Sequence, residues 1–179
     1  MLANQISQAK TIIQHGGIIA YSTETVLGLG CDPNNEQAVK KILWLKSRAV
    51  TNGLIILVDS IESLKKYTKP LSREQHTTIS STKNTTWLIP ANSNAPYWIV
   101  GEHNNIAIRI TNHSTSKALS CAAQGIVSTS ANISSYKILQ DQTEIRDWFG
   151  PHVDYMIIGE SGSNTPSEIR NLLSGEKLR

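Results

Sequence analysis

Two pairs of polar residues in this chain could hold an anion and an amino acid side by side. Lys46 and Arg48 follow one apolar run, and Ser130 and Asn132 end another. An arginine guanidinium offers a planar fork to a phosphate or a carboxylate, whereas a lysine ammonium is a mobile point charge. Hydroxyl and amide groups can orient a small polar substrate. The combination predicts an enzyme that brings a nucleotide and an amino acid together.

Each pair also has an interpretation that involves no ligand. Cations at the C-terminal end of a helix stabilise the helix dipole, which would account for Lys46 and Arg48. Ser128, Ser130 and Asn132 alternate along an extended chain and therefore share one face. A polar turn would place the same residue types there, so both interpretations stay open at this point.

Two further positions could contribute to the same site. Thr25 lies in the turn after the first apolar run, and ligands of open α/β sheets collect where strands end. Arg109 interrupts an apolar run at 105–111, where it either faces a ligand or points outward from a half-exposed strand. The net charge of +3 fits a nucleotide or polyanion partner as well as an ordinary solvated surface.

Length and composition indicate one domain over residues 1–179, because 179 residues with 39% hydrophobic content can bury a core. No apolar run reaches the roughly 20 residues that cross a membrane, and no signal peptide is visible at the N-terminus. The two cysteines and five histidines lack metal-ligand spacing, which predicts no structural zinc site. We expect a reduced, cytoplasmic protein.

Helical and strand patterns alternate along the chain, which predicts an α/β domain with helices packed on a sheet. Helices are predicted at 2–15, 35–46, 60–67, 114–123 and 141–149. Strands are predicted at 17–23, 53–59, 85–91, 105–111, 125–131 and 154–160. We assign 74–84 to a loop or a short helix, and the tail from 161 to mostly irregular structure.

The common nucleotide-binding loops are missing from the sequence. There is no Gly-x4-Gly-Lys-Ser/Thr phosphate loop, and Gly28-Leu-Gly30 lacks the third glycine of a dinucleotide loop and is soon followed by Pro33. A nucleotide would therefore have to bind by another route.

Five segments, in this order, resemble the YrdC/TsaC family, and together they span most of the chain. They are Tyr21-Ser-Thr-Glu-Thr-Val-Leu-Gly-Leu-Gly30, Leu45-Lys-Ser-Arg48, Asn52-Gly-Leu-Ile-Ile56, Ile108-Arg-Ile110 and Ser128-Thr-Ser-Ala-Asn132. The tail at 164–170 also resembles bacterial members. The resemblance implies an α/β fold in which a twisted mixed sheet, flanked by helices, surrounds a central cavity. Family members are threonylcarbamoyl-AMP synthases, which use L-threonine, bicarbonate and ATP and release pyrophosphate.

Carried over by position, the resemblance implies a catalytic group of Lys46, Arg48, Ser130 and Asn132. It implies further substrate-binding residues at Thr25, Arg109 and Ser128, and ATP-binding residues at Arg48, Asn52 and Thr86. Ser130 and Asn132 are then expected to hold the carboxylate or hydroxyl of threonine. Mg²⁺ is expected on the ATP phosphates, although no carboxylate cluster marks a protein-held site. The product would serve tRNA modification, with tRNA and modification proteins as partners and no membrane contact.

The chain departs from the family pattern at several positions. Ser22 and Ala49 stand where the family has proline, Ser135 stands where it has glycine, and 81–85 replaces a Trp-Pro-Gly-Pro stretch. These departures leave room for two alternatives. One is a module of the same fold that binds tRNA or double-stranded RNA without adenylation. The other is a different carbamoyl- or adenylyl-transfer enzyme.

Overall fold

The computed structural model describes residues 2–134, 136–139, 141–157, 159 and 166–179, without the side chain of residue 122. Within them the helices are α1 Leu2–Gln14, α2 Glu36–Leu45, α3 Ile61–Leu64, α4 Arg73–Ser81, α5 Tyr97–Val100, α6 Ser114–Ala123 and α7 Gln142–Phe149. The strands are β1 Ile19–Tyr21, β2 Gly28–Gly30, β3 Ile55–Val58, β4 Thr85–Pro90, β5 Asn105–Ile110, β6 Ile126–Ser130, β7 Tyr155–Ile157 and β8 Glu168–Asn171. None of these helices is long and apolar enough to cross a membrane.

The described strands form one mixed sheet in the order β7-β1-β2-β6-β3-β5-β4-β8. Three neighbouring pairs are parallel, namely β1 with β7, β3 with β5, and β4 with β8. The remaining neighbours are antiparallel. The predicted α/β class with a mixed sheet is therefore confirmed.

The two faces of the central strands have different neighbours. Ile56, Ile108 and Val127 belong to a buried cluster that also contains Val39 and Ile42 of α2. Because side chains alternate along a strand, the residues between them point to the opposite face. On that face, Leu57 of β3 and Ile126 of β6 pack in a second cluster that includes residues of α1 and α6.

Beyond this second cluster, no helix in the described part of the chain covers the same face of the sheet. Ile55 pairs with Ala107 on one side and with Ser128 on the other, and Ala107 pairs with Leu88. These four residues form one row across β4, β5, β3 and β6, and all four line a cavity. The floor of the cavity is therefore the part of the sheet that α1 and α6 leave open.

The segment 74–84, assigned to a loop or a short helix, contains most of α4. Ser72 caps this helix by accepting a hydrogen bond from the backbone of Gln75, whose side chain accepts from the backbone of Ser72. This reciprocal capping box satisfies two backbone donors that the start of a helix would otherwise leave open. The helix has a single buried residue, Ile79, which explains its weak apolar pattern.

Two strands were missed by the sequence prediction. The tail was predicted to be mostly irregular, but β8 pairs in parallel with β4 over four residues, so that prediction is wrong for 168–171. The strand β2 is Gly-Leu-Gly, a composition that disfavours strands. The last predicted strand, 154–160, contains β7, while residues 158 and 160 lie outside the described part of the chain.

The glycines of β2 differ in the space around them. A Cβ on Gly30 would lie 2.6 Å from the carbonyl oxygen of Val127 and 2.7 Å from the ring of Tyr21. A Cβ on Gly28 would have its nearest neighbour at 3.4 Å, an ordinary contact, and would face the cavity. Close packing thus requires glycine at position 30, whereas position 28 only borders the cavity.

We predict that Gly30→Ala lowers the free energy of unfolding by about 2 kcal/mol, since the added methyl group overpacks the sheet against a backbone oxygen and a buried ring. Gly28→Ala is the matched control and should change it by less than about 0.5 kcal/mol. Urea denaturation of both variants measures the difference. Equal urea midpoints for the two variants would contradict this account of β2.

Candidate active site

The cavity on the open part of the sheet has a volume of about 1190 Å³. Most of the predicted site residues meet in its lining: Thr25, Lys46, Arg48, Asn52, Arg109, Ser128, Ser130 and Asn132. Thr86 lies outside the lining, fully buried in β4. Its hydroxyl is 2.8 Å from the hydroxyl of Ser167, which does line the cavity.

Lys46 and Arg48 leave the end of α2 in different directions because the chain reverses between them. Ser47 has a positive φ of 49°, in the left-handed region. The amide of Ser47 donates to Trp44 and the amide of Arg48 donates to Leu43, at 3.0 and 2.9 Å. These two bonds form a Schellman motif, in which glycine is the usual left-handed residue. A serine at this position costs about 1 kcal/mol or more in backbone energy.

The Lys46 ammonium connects the end of α2 to the end of β6. Its Nζ donates to the carbonyl oxygens of Ser130 and Asn132 at 2.6 and 2.7 Å, and to Asn132 Oδ1 at 3.1 Å. Three acceptors match the three protons of the ammonium. Burial, assisted by the nearby positive charge of Arg48, lowers the pKa of Lys46 to about 8.

Arg48 holds the segment that leads into β3. Its Nε and one terminal nitrogen donate to the carbonyl oxygen of Gly53, and the same terminal nitrogen donates to that of Asn52. Burial, followed by repulsion from Arg179, lowers the pKa of Arg48 below that of an ordinary arginine. The interpretation of Lys46 and Arg48 as dipole-stabilising residues is thus incomplete, because both reach main-chain oxygens beyond α2.

The hydrogen bonds of Ser130 and Asn132 fix what each can offer a ligand. Ser130 Oγ donates to Asn132 Oδ1 at 2.6 Å, which uses its single proton. The Asn132 amide nitrogen donates to the carbonyl oxygen of Tyr136 at 2.7 Å. Ser130 therefore presents lone pairs to the cavity. Of the two threonine groups expected at Ser130 and Asn132, the hydroxyl suits the lone pairs of Ser130, while for the carboxylate only the second N–H of the Asn132 amide remains.

The Thr25 hydroxyl, like that of Ser130, offers hydrogen-bond acceptors to the cavity. Thr23 Oγ1 donates to the carbonyl oxygen of Val26 at 2.7 Å, which uses the proton of Thr23. The two threonine hydroxyls are 3.1 Å apart, and because the Thr23 proton is already used, Thr25 is the donor in any hydrogen bond between them. The lone pairs of Thr25 Oγ1 remain as acceptors, and both threonines line the cavity.

Arg109 points into the cavity and not outward. Asn105, Ala107 and Arg109 alternate on β5, and all three line the cavity, so the half-exposed face of this strand is the cavity floor. Arg109 is only 4% exposed, and its Nε lies 3.2 Å from Glu24 Oε1. Burial lowers the pKa of Arg109, and the negative charge of Glu24 opposes that shift.

Arg179, the last residue of the chain, is a lining residue that the sequence prediction missed. Its Nε and a terminal nitrogen donate to the carbonyl oxygen of Ser167 at 3.3 and 3.1 Å. The amide of Leu178 donates to Ile169 of β8 at 2.8 Å, which folds the terminus back over the sheet. Only recognition of β8 as a strand could have identified this residue from the sequence.

The unusual segment 81–85 lies outside the cavity lining. It forms the end of α4 and the turn into β4, where Asn84 has a positive φ of 53°. Trp87 Nε1 donates to Thr82 Oγ1 at 3.2 Å, and Thr85 Oγ1 donates to the carbonyl oxygen of Lys83 at 3.1 Å. Its side chains therefore stabilise the turn itself.

The lining is rich in cations and poor in carboxylates. Lys46, Arg48, Arg109 and Arg179 all border the cavity, with Glu102 as a lining carboxylate. Among the described residues, no group of three or more His, Cys, Asp or Glu side chains could hold a metal ion. The described lining residues therefore fit a polyanion better than a magnesium ion held by protein carboxylates.

Comparison with known proteins identifies the family. The family model for Sua5, YciO and YrdC, described as telomere recombination, matches residues 11–179. A threonylcarbamoyl-AMP synthase of Pseudoalteromonas translucida is 38% identical, and the match covers 97% of this chain and 96% of that protein. A threonylcarbamoyl-AMP synthase of Acinetobacter baumannii is also 38% identical, over 100% of both chains.

Solved structures agree with the sequence comparisons. Sua5 of P. abyssi in complex with L-threonine superposes with a TM-score of 0.84 at 27% identity, covering 96% of this chain and 52% of Sua5. The chain thus spans about half the length of that protein. YciO of E. coli shares the fold, with a TM-score of 0.79 at 22% identity over 93% of this chain and 82% of YciO. The chain belongs to the Sua5/YciO/YrdC family.

Proposed function

We propose that this protein is a threonylcarbamoyl-AMP synthase, a nucleotidyltransferase that forms threonylcarbamoyl-adenylate and pyrophosphate from L-threonine, bicarbonate and ATP. The observation that carries the proposal is a cavity that combines four cations with two acceptor hydroxyls. The cavity, of about 1190 Å³, is larger than typical small-molecule sites of roughly 300–1,000 Å³, so it can hold two substrates together. Relatives of matching length bear the same name.

The chemistry has two stages, and neither needs a covalent bond to the protein. Bicarbonate gives CO₂ and hydroxide, the amine of threonine attacks the CO₂, and the proton that the amine loses combines with the hydroxide as water, which leaves a carbamate. A carbamate oxygen then attacks the α-phosphorus of ATP, and pyrophosphate leaves. Both reactants of the second stage are anions, so the protein must position them and reduce their repulsion.

The cations have two kinds of role in this proposal. Arg48, Arg109 and Arg179 present guanidinium groups that neutralise the phosphates, the carbamate and the amino acid carboxylate. Lys46 acts differently, because its three protons already hold main-chain and side-chain oxygens of 130–132. It supplies positive charge and fixes the turn that presents Ser130.

Thr25 and Ser130 would receive the N–H or O–H groups of threonine, because both hydroxyls offer lone pairs to the cavity. Asn132 supports Ser130 by accepting a hydrogen bond from its hydroxyl, and Ser128 extends the same wall of the cavity. In this assignment the arginines bind the carboxylate of threonine. The amine of threonine then lies next to the acceptor hydroxyls of Thr25 and Ser130, and the lone pair of the amine nitrogen can be directed at carbon dioxide.

ATP would lie against Arg48 and Asn52, which border the cavity together. Thr86 would act on ATP only indirectly, through its hydrogen bond to Ser167. Mg²⁺ would arrive with the ATP phosphates, since the described lining residues fit a polyanion better than a protein-held ion. When bound there, the ion would offset phosphate charge.

We propose tRNA as the final acceptor of the threonylcarbamoyl group, with modification proteins as partners, and a cytoplasmic location. The two cysteines are free, Cys31 buried and Cys121 exposed, which suits a reducing compartment. The single domain over residues 1–179 stays a prediction. The alternative of an RNA-binding module without adenylation has less support, since the compared relatives are named as synthases.

Pyrophosphate release, measured with ATP, bicarbonate and one amino acid at a time, tests the proposed function. We expect release with L-threonine and little with glycine or L-alanine. Release with a different amino acid as the preferred acceptor would indicate another transfer enzyme of the same fold. No release with any amino acid would contradict the proposal and favour the binding module.

We predict that Lys46→Met lowers threonine-dependent pyrophosphate release by at least about 100-fold, because it removes a buried charge from the site where two anions meet. The matched control is Lys65→Met, which removes an exposed lysine paired with Glu62 at the surface. Circular dichroism of both variants checks the fold. Activity of folded Lys46→Met close to that of the control would refute the role given to Lys46.

The pKa of Lys46, near 8, predicts a pH dependence. Deprotonation removes one of the three N–H donors that hold 130–132, so kcat/KM should fall as the pH rises through about 8. In Lys46→Arg the side chain stays protonated, and this fall should disappear. The ratio of the two kcat/KM values cancels the ionisation of threonine. A ratio that is constant from pH 7 to pH 10 would contradict the assignment.

A further inference from the structure

We infer that Glu24 is a positioning residue for Arg109, and that the pair fixes the guanidinium edge that binds the carboxylate of the amino acid substrate. This inference rests on the proposed function, because it concerns the amino acid half of the same cavity. It assigns a role to a carboxylate that does not itself border the cavity.

The carboxylate of Glu24 bridges two residues that share one face of β5 and its extension. Its Oε1 lies 3.2 Å from Nε of Arg109, and its Oε2 accepts a hydrogen bond from the hydroxyl of Thr111 at 2.9 Å. Arg109 and Thr111 are two residues apart, so an extended chain directs both toward Glu24. The amide of Thr111 donates to Val58 of β3, which keeps this extension in the sheet.

Burial makes this ion pair sensitive to the loss of either partner. The side chains of Arg109 and Glu24 are 5% and 15% exposed, and Thr111 is fully buried. Burying a guanidinium disfavours its charged form, and Glu24 is the largest influence that opposes this. Removing the carboxylate would leave a buried cation without its compensating charge.

The contact with Glu24 uses one edge of the guanidinium and directs the other edge at the cavity. Nε, on the Glu24 side, is buried, and its N–H is not aligned with the carboxylate oxygen, so the contact is an ion pair without a well-directed hydrogen bond. Because a guanidinium is planar and rigid, the nearby carboxylate and the close packing around a side chain that is 5% exposed together restrict where its terminal nitrogens can lie. Arg109 lines the cavity, where those nitrogens form a fork suited to a carboxylate.

The position of Glu24 in the chain favours the amino acid as the ligand of this fork. Glu24 lies between Thr23 and Thr25, so the turn that orients the Thr25 acceptor also orients Arg109. An α-amino acid carries an N–H donor and a carboxylate on the same carbon. A turn that supplies an acceptor and a cationic fork at adjacent positions matches both groups.

The test compares Glu24→Gln and Thr111→Val with the wild-type protein and with Glu62→Gln, which removes an exposed carboxylate paired with Lys65. Steady-state kinetics and calorimetric titration with L-threonine and with ATP are the measurements. For Glu24→Gln we expect KM for L-threonine to rise by about 10- to 100-fold, the loss typical of a misplaced contact, with KM for ATP unchanged. Thr111→Val should show a smaller rise in the same direction, and Glu62→Gln none.

A double-mutant cycle separates positioning from a general structural role. If Glu24 acts through Arg109, then Glu24→Gln should cause no further loss of threonine affinity in an Arg109→Gln background. Equal losses in both backgrounds, or equal rises in KM for threonine and ATP, would overturn the inference. So would an unchanged threonine affinity in folded Glu24→Gln, or in Thr111→Val if Glu24→Gln does not fold.

The proposed function and this inference fail in different ways. A wild-type protein that releases no pyrophosphate with threonine contradicts the function, while calorimetry still measures the effect of Glu24→Gln on threonine binding. A wild-type protein that neither releases pyrophosphate nor binds threonine overturns both. An active wild-type protein with unaltered threonine affinity in the two variants overturns the inference alone.

Discussion

The arrangement of the site depends on one buried ammonium group. Lys46 caps α2 and donates to the carbonyl oxygens of Ser130, at the end of β6, and of Asn132 just after it. The helix on one side of the sheet is thereby connected to a strand end that borders the cavity. The same ammonium contacts the side-chain oxygen of Asn132, which in turn accepts a hydrogen bond from the hydroxyl of Ser130. A single side chain thereby fixes both the shape and the hydrogen-bond polarity of one wall of the cavity.

The second constraint is electrostatic. Four cations border a cavity formed partly of apolar sheet residues. One of them, Arg109, forms an ion pair with Glu24. Removing charges from water is costly unless opposite charges are near, and the lowered pKa values of Lys46, Arg48 and Arg109 express that cost. A polyanionic substrate would relieve it. The cation-rich cavity is therefore suited to a polyanion, as the proposed function requires.

The sequence predicted the parts of the fold that have strong periodic patterns. Apolar spacing identified α2, and the polar residues at the end of β6 and just after it indicated a ligand face. It could not show that Lys46 reaches across to the end of β6, because that contact joins residues 84 and 86 positions apart in the sequence. The strand β2 consists mainly of glycine and β8 is short and half-buried, so tertiary packing alone reveals them. Missing β8 also concealed Arg179.

The central claim is that one cavity joins threonine, bicarbonate and ATP into a single product. Incubation of the protein with isotope-labelled bicarbonate, and mass spectrometry of the nucleotide product, test this claim most directly. The account predicts an adenylate that carries both threonine and the labelled carbon, formed only when all three substrates are present. An adenylate of threonine without the labelled carbon, or pyrophosphate release that does not depend on bicarbonate, would contradict it.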